Sequence, residues 1–339
     1  MSFPIPRRGL LLLPLALLGG CDMVVMDPSG DIASQQAQLI VVSTLLMLLV
    51  IVPVIFLTFF FAWRYRQNNT EATYDPEWDH STKLELVIWG APLLIIIALG
   101  LITWISTHKL DPYRPLDRID AERSIPEGVE PMTVEVVSLD WKWLFIYPEQ
   151  GVASVNELVT PIDVPIRFQL TSARAMNSFY IPALAGQIYT MPGMRTTLNA
   201  VINETGTFKG FSANYSGAGF SHMNFEYHGV SDGDFEEWVN KVRSNGGTLD
   251  RDEYQELEKP SEKDPVSYYG MVAPDLYHAI VNRCVEEGSV CMDEMMSHHS
   301  HSKQASADTI TPNFCLAESQ PGTAVNTPSP FIQETENAR

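Results

Sequence analysis

Residues able to bind a metal or move a proton are few and scattered along the 339-residue chain. His222 and His228 are both followed or flanked by strand-forming residues, with Met223 beside the first. Read as one strand, positions 222 and 228 share a face, and imidazoles with a thioether form a soft-metal donor set. No third firm ligand accompanies them, so ordinary packing is the stronger reading. Met292, Met295, Met296, His298, His299 and His301 crowd a second region, where they could hold copper or nickel loosely, although a solvated tail is the plainer account. The four cysteines, at 21, 284, 291 and 315, show no CxxC or zinc-module spacing. Cys284 and Cys291 are close enough to form a disulfide, and pairing by Cys315 is equally open. There is no GxSxG, HExxH or phosphate-cradling loop, so hydrolytic and nucleotide chemistry have no visible site. Glu85 stands apart because it opens an uncharged apolar run. An ionisable group there is a functional candidate, since lipid exposure is costly; the ordinary alternative is a carboxylate snorkelling beside Lys83.

These residues must be positioned by elements of very different character. Lys plus Arg total 22 against 41 Asp plus Glu, for a formal charge of −19. That balance excludes a nucleic-acid surface, and no polybasic run is present to hold an anionic membrane. The first residues combine Arg7-Arg8, an apolar run from Leu10 to Leu18 and then Leu18-Gly19-Gly20-Cys21. A basic start and a short apolar segment predict a secretory signal over 1–20. Cys directly after Leu-Gly-Gly resembles the bacterial lipoprotein box, which makes Cys21 the expected lipidated residue. Cleavage would remove two arginines and make the mature chain more acidic.

Two transmembrane helices are predicted, over 38–63 and 84–107, since each run exceeds the ~20 residues a bilayer requires. Pro53 falls inside the first, and Trp63, Tyr65, Trp89 and Trp104 sit near the ends as interfacial aromatics do. With residues 21–37 outside, the loop 64–83 is cytoplasmic and carries Arg64, Arg66 and Lys83, as the positive-inside rule prefers. The remainder lies outside the inner membrane, in the periplasm. A Pro-rich linker occupies 108–130. Short runs then recur about every ten residues between turn signals, at Met132–Ser138, Lys142–Tyr147, Pro165–Thr171, Gly186–Thr190, Arg195–Ile202, Gly206–Ser212 and His222–His228. Their alternation predicts an antiparallel sandwich or barrel over 131–229. Trp141 and Trp143 flank Lys142 and are expected on one face of a strand. Helical spacing follows Ser231, again over Arg251–Leu257 and Pro274–Glu286, giving a helical extension over 230–290. Residues 291–339 are polar enough to predict disorder.

Two helices followed by an outer sandwich resemble subunit II of the haem–copper terminal oxidases, and the motifs narrow the match. Copper-bearing members bind a two-copper centre in a cupredoxin fold, through a His and a later C-x-E-x-C-x-x-x-H-x-x-M stretch. The matching segment here is Ser212-Ala213-Asn214-Tyr215-Ser216-Gly217-Ala218-Gly219-Phe220-Ser221-His222-Met223. Ser212 and Ser216 stand at the Cys positions, Asn214 at the Glu, Phe220 at the His, and only Met223 is retained. Upstream, Asn177 in Met176-Asn177-Ser178-Phe179-Tyr180-Ile181-Pro182 replaces the first His. Serine hydroxyls cannot substitute for bridging thiolates, and a Phe ring cannot ligate at all. An emptied cupredoxin of this kind resembles the cytochrome bo-type ubiquinol oxidases. So do Leu139-Asp140-Trp141-Lys142-Trp143-Leu144-Phe145-Ile146-Tyr147-Pro148-Glu149-Gln150-Gly151, Asn214-Tyr215-Ser216-Gly217 and Trp63-Arg64-Tyr65-Arg66.

The resemblance implies a two-helix transmembrane hairpin, a periplasmic all-β cupredoxin-like sandwich without copper, and a helical C-terminal extension. It implies a chain with no metal, cofactor or catalytic residue of its own. Haems and one copper would belong to subunit I, the principal partner beside smaller subunits, membrane lipid and ubiquinol as substrate of the complex. It places Glu85 at a proton-pathway entrance into subunit I, and leaves Trp141 and Trp143 to packing. Composition and topology alone also allow a lipid-anchored scaffold or binding protein. A copper-carrying cytochrome c oxidase subunit II is opposed by the Ser, Asn and Phe replacements.

Overall fold

The computed structural model describes residues 23–73 and 75–297. Cys21, Cys315 and the histidines at 298, 299 and 301 therefore lie outside the described residues, as do the signal segment and nearly all of the predicted disordered tail.

Two long helices open the chain: α1, Asp31–Arg64, and α2, Thr82–Lys109. Their apolar residues face outward on every side, the pattern of a helix solvated by lipid rather than packed by one stripe. At 1.5 Å per residue they run about 51 and 42 Å, longer than the ~30 Å hydrocarbon layer. Pro53 and Pro92 are carried inside them without ending either helix. Helix α1 begins at Asp31 rather than at 38, because Ser34, Gln35 and Gln36 are polar yet tolerate helix well. That extra turn has a structural use. Asp31, Ala33 and Ala37 are buried, and the Gly30 and Ala33 amides donate to the carbonyls of Ala183 and Leu184. Gly30 bridges Ile202, and a Cβ there would fall 2.6 Å from the Leu184 carbonyl oxygen, so only glycine allows this approach. Asp31, 5% exposed, accepts two bonds from the Arg118 guanidinium at 2.8 and 2.9 Å and a third from Gln35. The start of α1 is thus fastened both to the outer domain and to the segment that follows α2.

The outer domain is a two-layer sandwich. Its strands are β1 Met132–Ser138, β2 Trp143–Tyr147, β3 Val152–Val155, β4 Glu157–Pro161, β5 Ile166–Ser172 and β6 Asn177–Tyr180. After these come β7 Ile188–Thr190, β8 Thr196–Ala200, β9 Gly206–Ser212, β10 Asn224–Val230, β11 Gly247–Leu249 and β12 Ser267–Val272. Three short helices are interspersed or follow: α3 Asp232–Asn245, α4 Arg251–Glu258 and α5 Leu276–Val281. The seven-stranded sheet runs β11-β12-β3-β2-β1-β5-β8 and the five-stranded sheet β4-β10-β9-β6-β7. The sheets are mixed rather than purely antiparallel: β1 with β5, β4 with β10 and β11 with β12 pair in parallel. Parallel neighbours need a crossover, which local turn signals do not announce.

Between the layers lies an aromatic core. Phe179 stacks on Phe225 at 5.5 Å, and Trp143, Phe145 and Phe168 surround it. The segment expected as a helical extension also supplies β11 and β12, which extend the large sheet through β3. Helix α3 is capped by the Ser231 hydroxyl, which accepts from the Asp234 amide, and buries Phe235, Val239 and Val242. Helix α5 is shorter than the expected 274–286, since Arg283 takes a left-handed turn. Cys284 and Cys291 form a disulfide, which resolves the open pairing. Residues 292–297, expected in the disordered tail, are helical, and the Met292 side chain packs against Gly193.

Candidate functional site

Strand β6 and the end of β9 place Asn177 opposite the loop 212–223. Phe179 is paired with Ser212 across the two strands, and the Ala213 amide donates to the Ser178 carbonyl. The Ser212 hydroxyl donates to Asn177 Oδ1 at 3.1 Å. Asn214 Nδ2 donates to the Met176 carbonyl at 3.1 Å, so it ties the loop to β6. The Ser216 hydroxyl lies 3.9 Å from the sulfur of Met223, which is 1% exposed. Phe220, half-buried, meets Tyr215 edge-on at 5.5 Å. The structure therefore gathers Asn177, Ser212, Asn214, Ser216, Phe220 and Met223 about one loop.

Their chemistry is that of a closed hydrogen-bond network. The available donors to a metal are amide and hydroxyl oxygens and one thioether, with a phenyl ring on the remaining side. A two-copper centre needs thiolates and imidazoles, and this set does not fit it. Among the described residues, no group of three or more His, Cys, Asp or Glu is placed to hold a metal ion.

Two expectations about neighbouring residues require correction. His222 sits on a 3-10 turn, Phe220–His222, and not on the strand carrying His228. The two imidazoles therefore do not share a strand face, and His228 instead bonds Thr207 at 3.0 Å. Trp141 is likewise outside β2, on a left-handed residue (φ 70°), so it does not share a face with Trp143. Trp143 is in the aromatic core, whereas the Trp141 ring covers the emptied loop. Its indole N–H donates to the Ser216 carbonyl at 3.1 Å, and a Cβ at Gly219 would meet the ring at 2.4 Å.

A family model described as "Cytochrome C oxidase subunit II, periplasmic domain" matches residues 148–230, and one described as "COX Aromatic Rich Motif" matches 243–288. Two relatives named "Cytochrome bo(3) ubiquinol oxidase subunit 2" are closely similar. That of Pseudomonas putida is 49% identical, covering 80% of this chain and 83% of its own. That of Pseudomonas aeruginosa is 50% identical, covering 83% and 82%. The chain belongs to the ubiquinol oxidase subunit 2 family. A "Quinol oxidase subunit 2" from Bacillus anthracis is 39% identical, over 74% of this chain and 84% of that one.

In this subunit 2 the second candidate, Glu85, occupies the first turn of α2 with 51% of its side chain exposed. Its carboxylate lies 2.8 Å from His80 Nδ1 rather than pairing with Lys83. His80 was missed by reading the sequence, although its position two residues before the helix was an available signal. Asp31 and Arg118 were also missed, because nothing local links residues 87 apart in the chain.

Proposed function

We propose that the chain is the second subunit of a proton-pumping ubiquinol oxidase of the aerobic respiratory chain, and that it carries no redox centre itself. The observation bearing most weight is the donor set of the 212–223 loop. With hydroxyls, an amide and a phenyl ring at the metal positions, electrons have no station in this chain. They must pass from ubiquinol directly to haem and copper in subunit I. The subunit then serves to dock on subunit I through α1 and α2, cover its outer face and add stability, beside the smaller subunits. Cys21 is the lipid attachment point, and the sandwich stands in the periplasm above a bacterial inner membrane crossed twice. The enzymatic activity, quinol:oxygen oxidoreduction coupled to proton translocation, belongs to the complex.

Purification through a tag on this chain in mild detergent is expected to yield a haem-containing assembly. A haem-free preparation of the intact chain would instead favour a lipid-anchored scaffold.

Glu85 is the residue of this subunit assigned to proton entry. It lies at the cytoplasmic start of α2, its charge held beside His80 at the edge of the apolar layer, where an unpaired carboxylate is expensive. Turnover of the assembled oxidase is expected to fall severalfold in Glu85→Ala and to be unchanged in Glu77→Ala, as read by oxygen uptake. Equal rates in the two variants would remove Glu85 from the pathway.

A further inference from the structure

The outer face of the seven-stranded sheet is covered by the C-terminal segment that carries α5, and between them is a cavity of about 650 Å³. It plays no part in the emptied metal loop. Its floor is apolar, from Ile146 on β2 and from Val272, Leu276 and Val281. Glu135 of β1, Arg195 just before β8 and Tyr277 of α5 are among the polar groups that line it. Tyr277 is only 7% exposed, yet its buried hydroxyl has no hydrogen-bond partner in the protein. An unpaired buried hydroxyl costs roughly 1–3 kcal/mol, so a partner that satisfies it is stabilising. The Tyr277 phenol also feels the charges of both Glu135 and Arg195, which places the three groups about one space.

We propose that this cavity is a binding site for a small organic carboxylate with a short apolar body. The Arg195 guanidinium offers the charge and the paired donors that a carboxylate takes up. The Tyr277 hydroxyl supplies a further donor, and Ile146, Val272, Leu276 and Val281 receive the apolar part. Among the described residues, the hydrogen bond of the Arg195 guanidinium is a long one of 3.5 Å to Gln169. The remaining charged groups facing the space are Asp275, His278 and Asp293, and the last two are paired with each other at 3.1 Å. Burial pushes the Glu135 carboxyl up to about 7, against the opposing pull of Arg195. Below that pH Glu135 is neutral and donates to an anion; above it, its charge repels one. Binding is therefore expected to weaken as pH rises through neutrality, although the ligand's own charge is constant.

Equilibrium dialysis of radiolabelled benzoate against the purified, intact oxidase complex tests the site, with chain variants as controls for uptake by detergent. One saturable site is expected at pH 6. Affinity is expected to fall about tenfold in Tyr277→Phe, the loss of one hydrogen bond to a charged group. It is expected to fall at least as far in Arg195→Gln, and about tenfold in the unaltered complex at pH 8.5. Tyr277→Phe keeps the ring and removes an unsatisfied hydroxyl, so its melting temperature and ubiquinol turnover report that the fold is intact. Absence of saturable binding at pH 6, or equal binding by the unaltered complex and both variants, would overturn the proposal.

Discussion

Replacing Lys142 with methionine is expected to destabilise the outer domain by about 3 kcal/mol, the lower end of what breaking a buried ion pair costs. Lys142 is 3% exposed, an extreme position for an ammonium group. It is tolerated because its Nζ is saturated: it lies 2.9 Å from Asp264 Oδ2, donates to the Lys259 carbonyl at 3.0 Å and bonds the Ser261 hydroxyl. These partners all lie in the loop between α4 and β12, so a single side chain pins the C-terminal segment to the turn before β2. Burial works to raise the Asp264 carboxyl, but Ser261 and Lys142 outweigh it and hold the group below the usual range. The depressed value means this stabilisation is present above the unfolded carboxylate pKa of about 3.9 and is lost as pH falls through the folded one. Methionine keeps the length of the side chain but takes the cation from the part-buried Asp264 carboxylate, leaving it the Ser261 hydroxyl. Adding Asp264→Asn is therefore expected to recover part of the loss. Urea unfolding of the purified chain in detergent measures both. A single variant as stable as the parent would mean that the clasp contributes nothing.

The second large effect concerns the core beneath the emptied loop. Phe179→Ala is expected to cost roughly 3–5 kcal/mol, the range for deleting a buried aromatic. The ring is fully buried, stacked on Phe225 and edge-on to Trp143 at 5.4 Å, with Phe145 and Phe168 completing its surroundings. It lies two residues from Asn177 and pairs across the strands with Ser212. Its packing therefore holds in place the same two segments that a metal would otherwise join. This explains physically how a cupredoxin-like sandwich can persist without copper: the aromatic core and the Asn177–Ser212 hydrogen bond supply the cohesion. Phe179→Leu is expected to lose much less, since it refills most of the space. An alanine variant that unfolds at the parent's urea midpoint would move the source of stability elsewhere.

How much of this was legible in the sequence depends on the range of the interaction concerned. The two membrane helices declare themselves through runs of uncharged residues, and β1, β2 and β9 through apolar and β-branched segments between turns. Strands β3 and β4 escaped because they are short and are joined through Asn156, a left-handed residue whose turn is not marked by glycine. Strand β12 was hidden among charged residues, and its pairing with β3 is a long-range event that no local period reports. Trp141 was assigned to a strand because alternation was read through a residue that is in fact left-handed. At the candidate site, Asn177 and the residues from Ser212 to Met223 were legible through their resemblance to the copper-binding motif, whose ligand positions they fill with residues of other types. The hydrogen bond that joins Ser212 to Asn177 was not, since it depends on the β6–β9 pairing. The same limit hid the His80 contact of Glu85 and the Arg118 clasp on Asp31, both set by side-chain geometry.

Oxygen uptake by the tagged complex, supplied in parallel with ubiquinol and with reduced cytochrome c, tests the central claim most directly. Ser212, Ser216 and Phe220 of the loop, with Asn177 opposite it on β6, do not fit the two-copper centre that would receive electrons from a protein donor. Rapid uptake with ubiquinol and none above background with cytochrome c is the predicted result. Uptake sustained by cytochrome c would contradict it, because that requires a copper station, for which these residues supply neither thiolate nor imidazole.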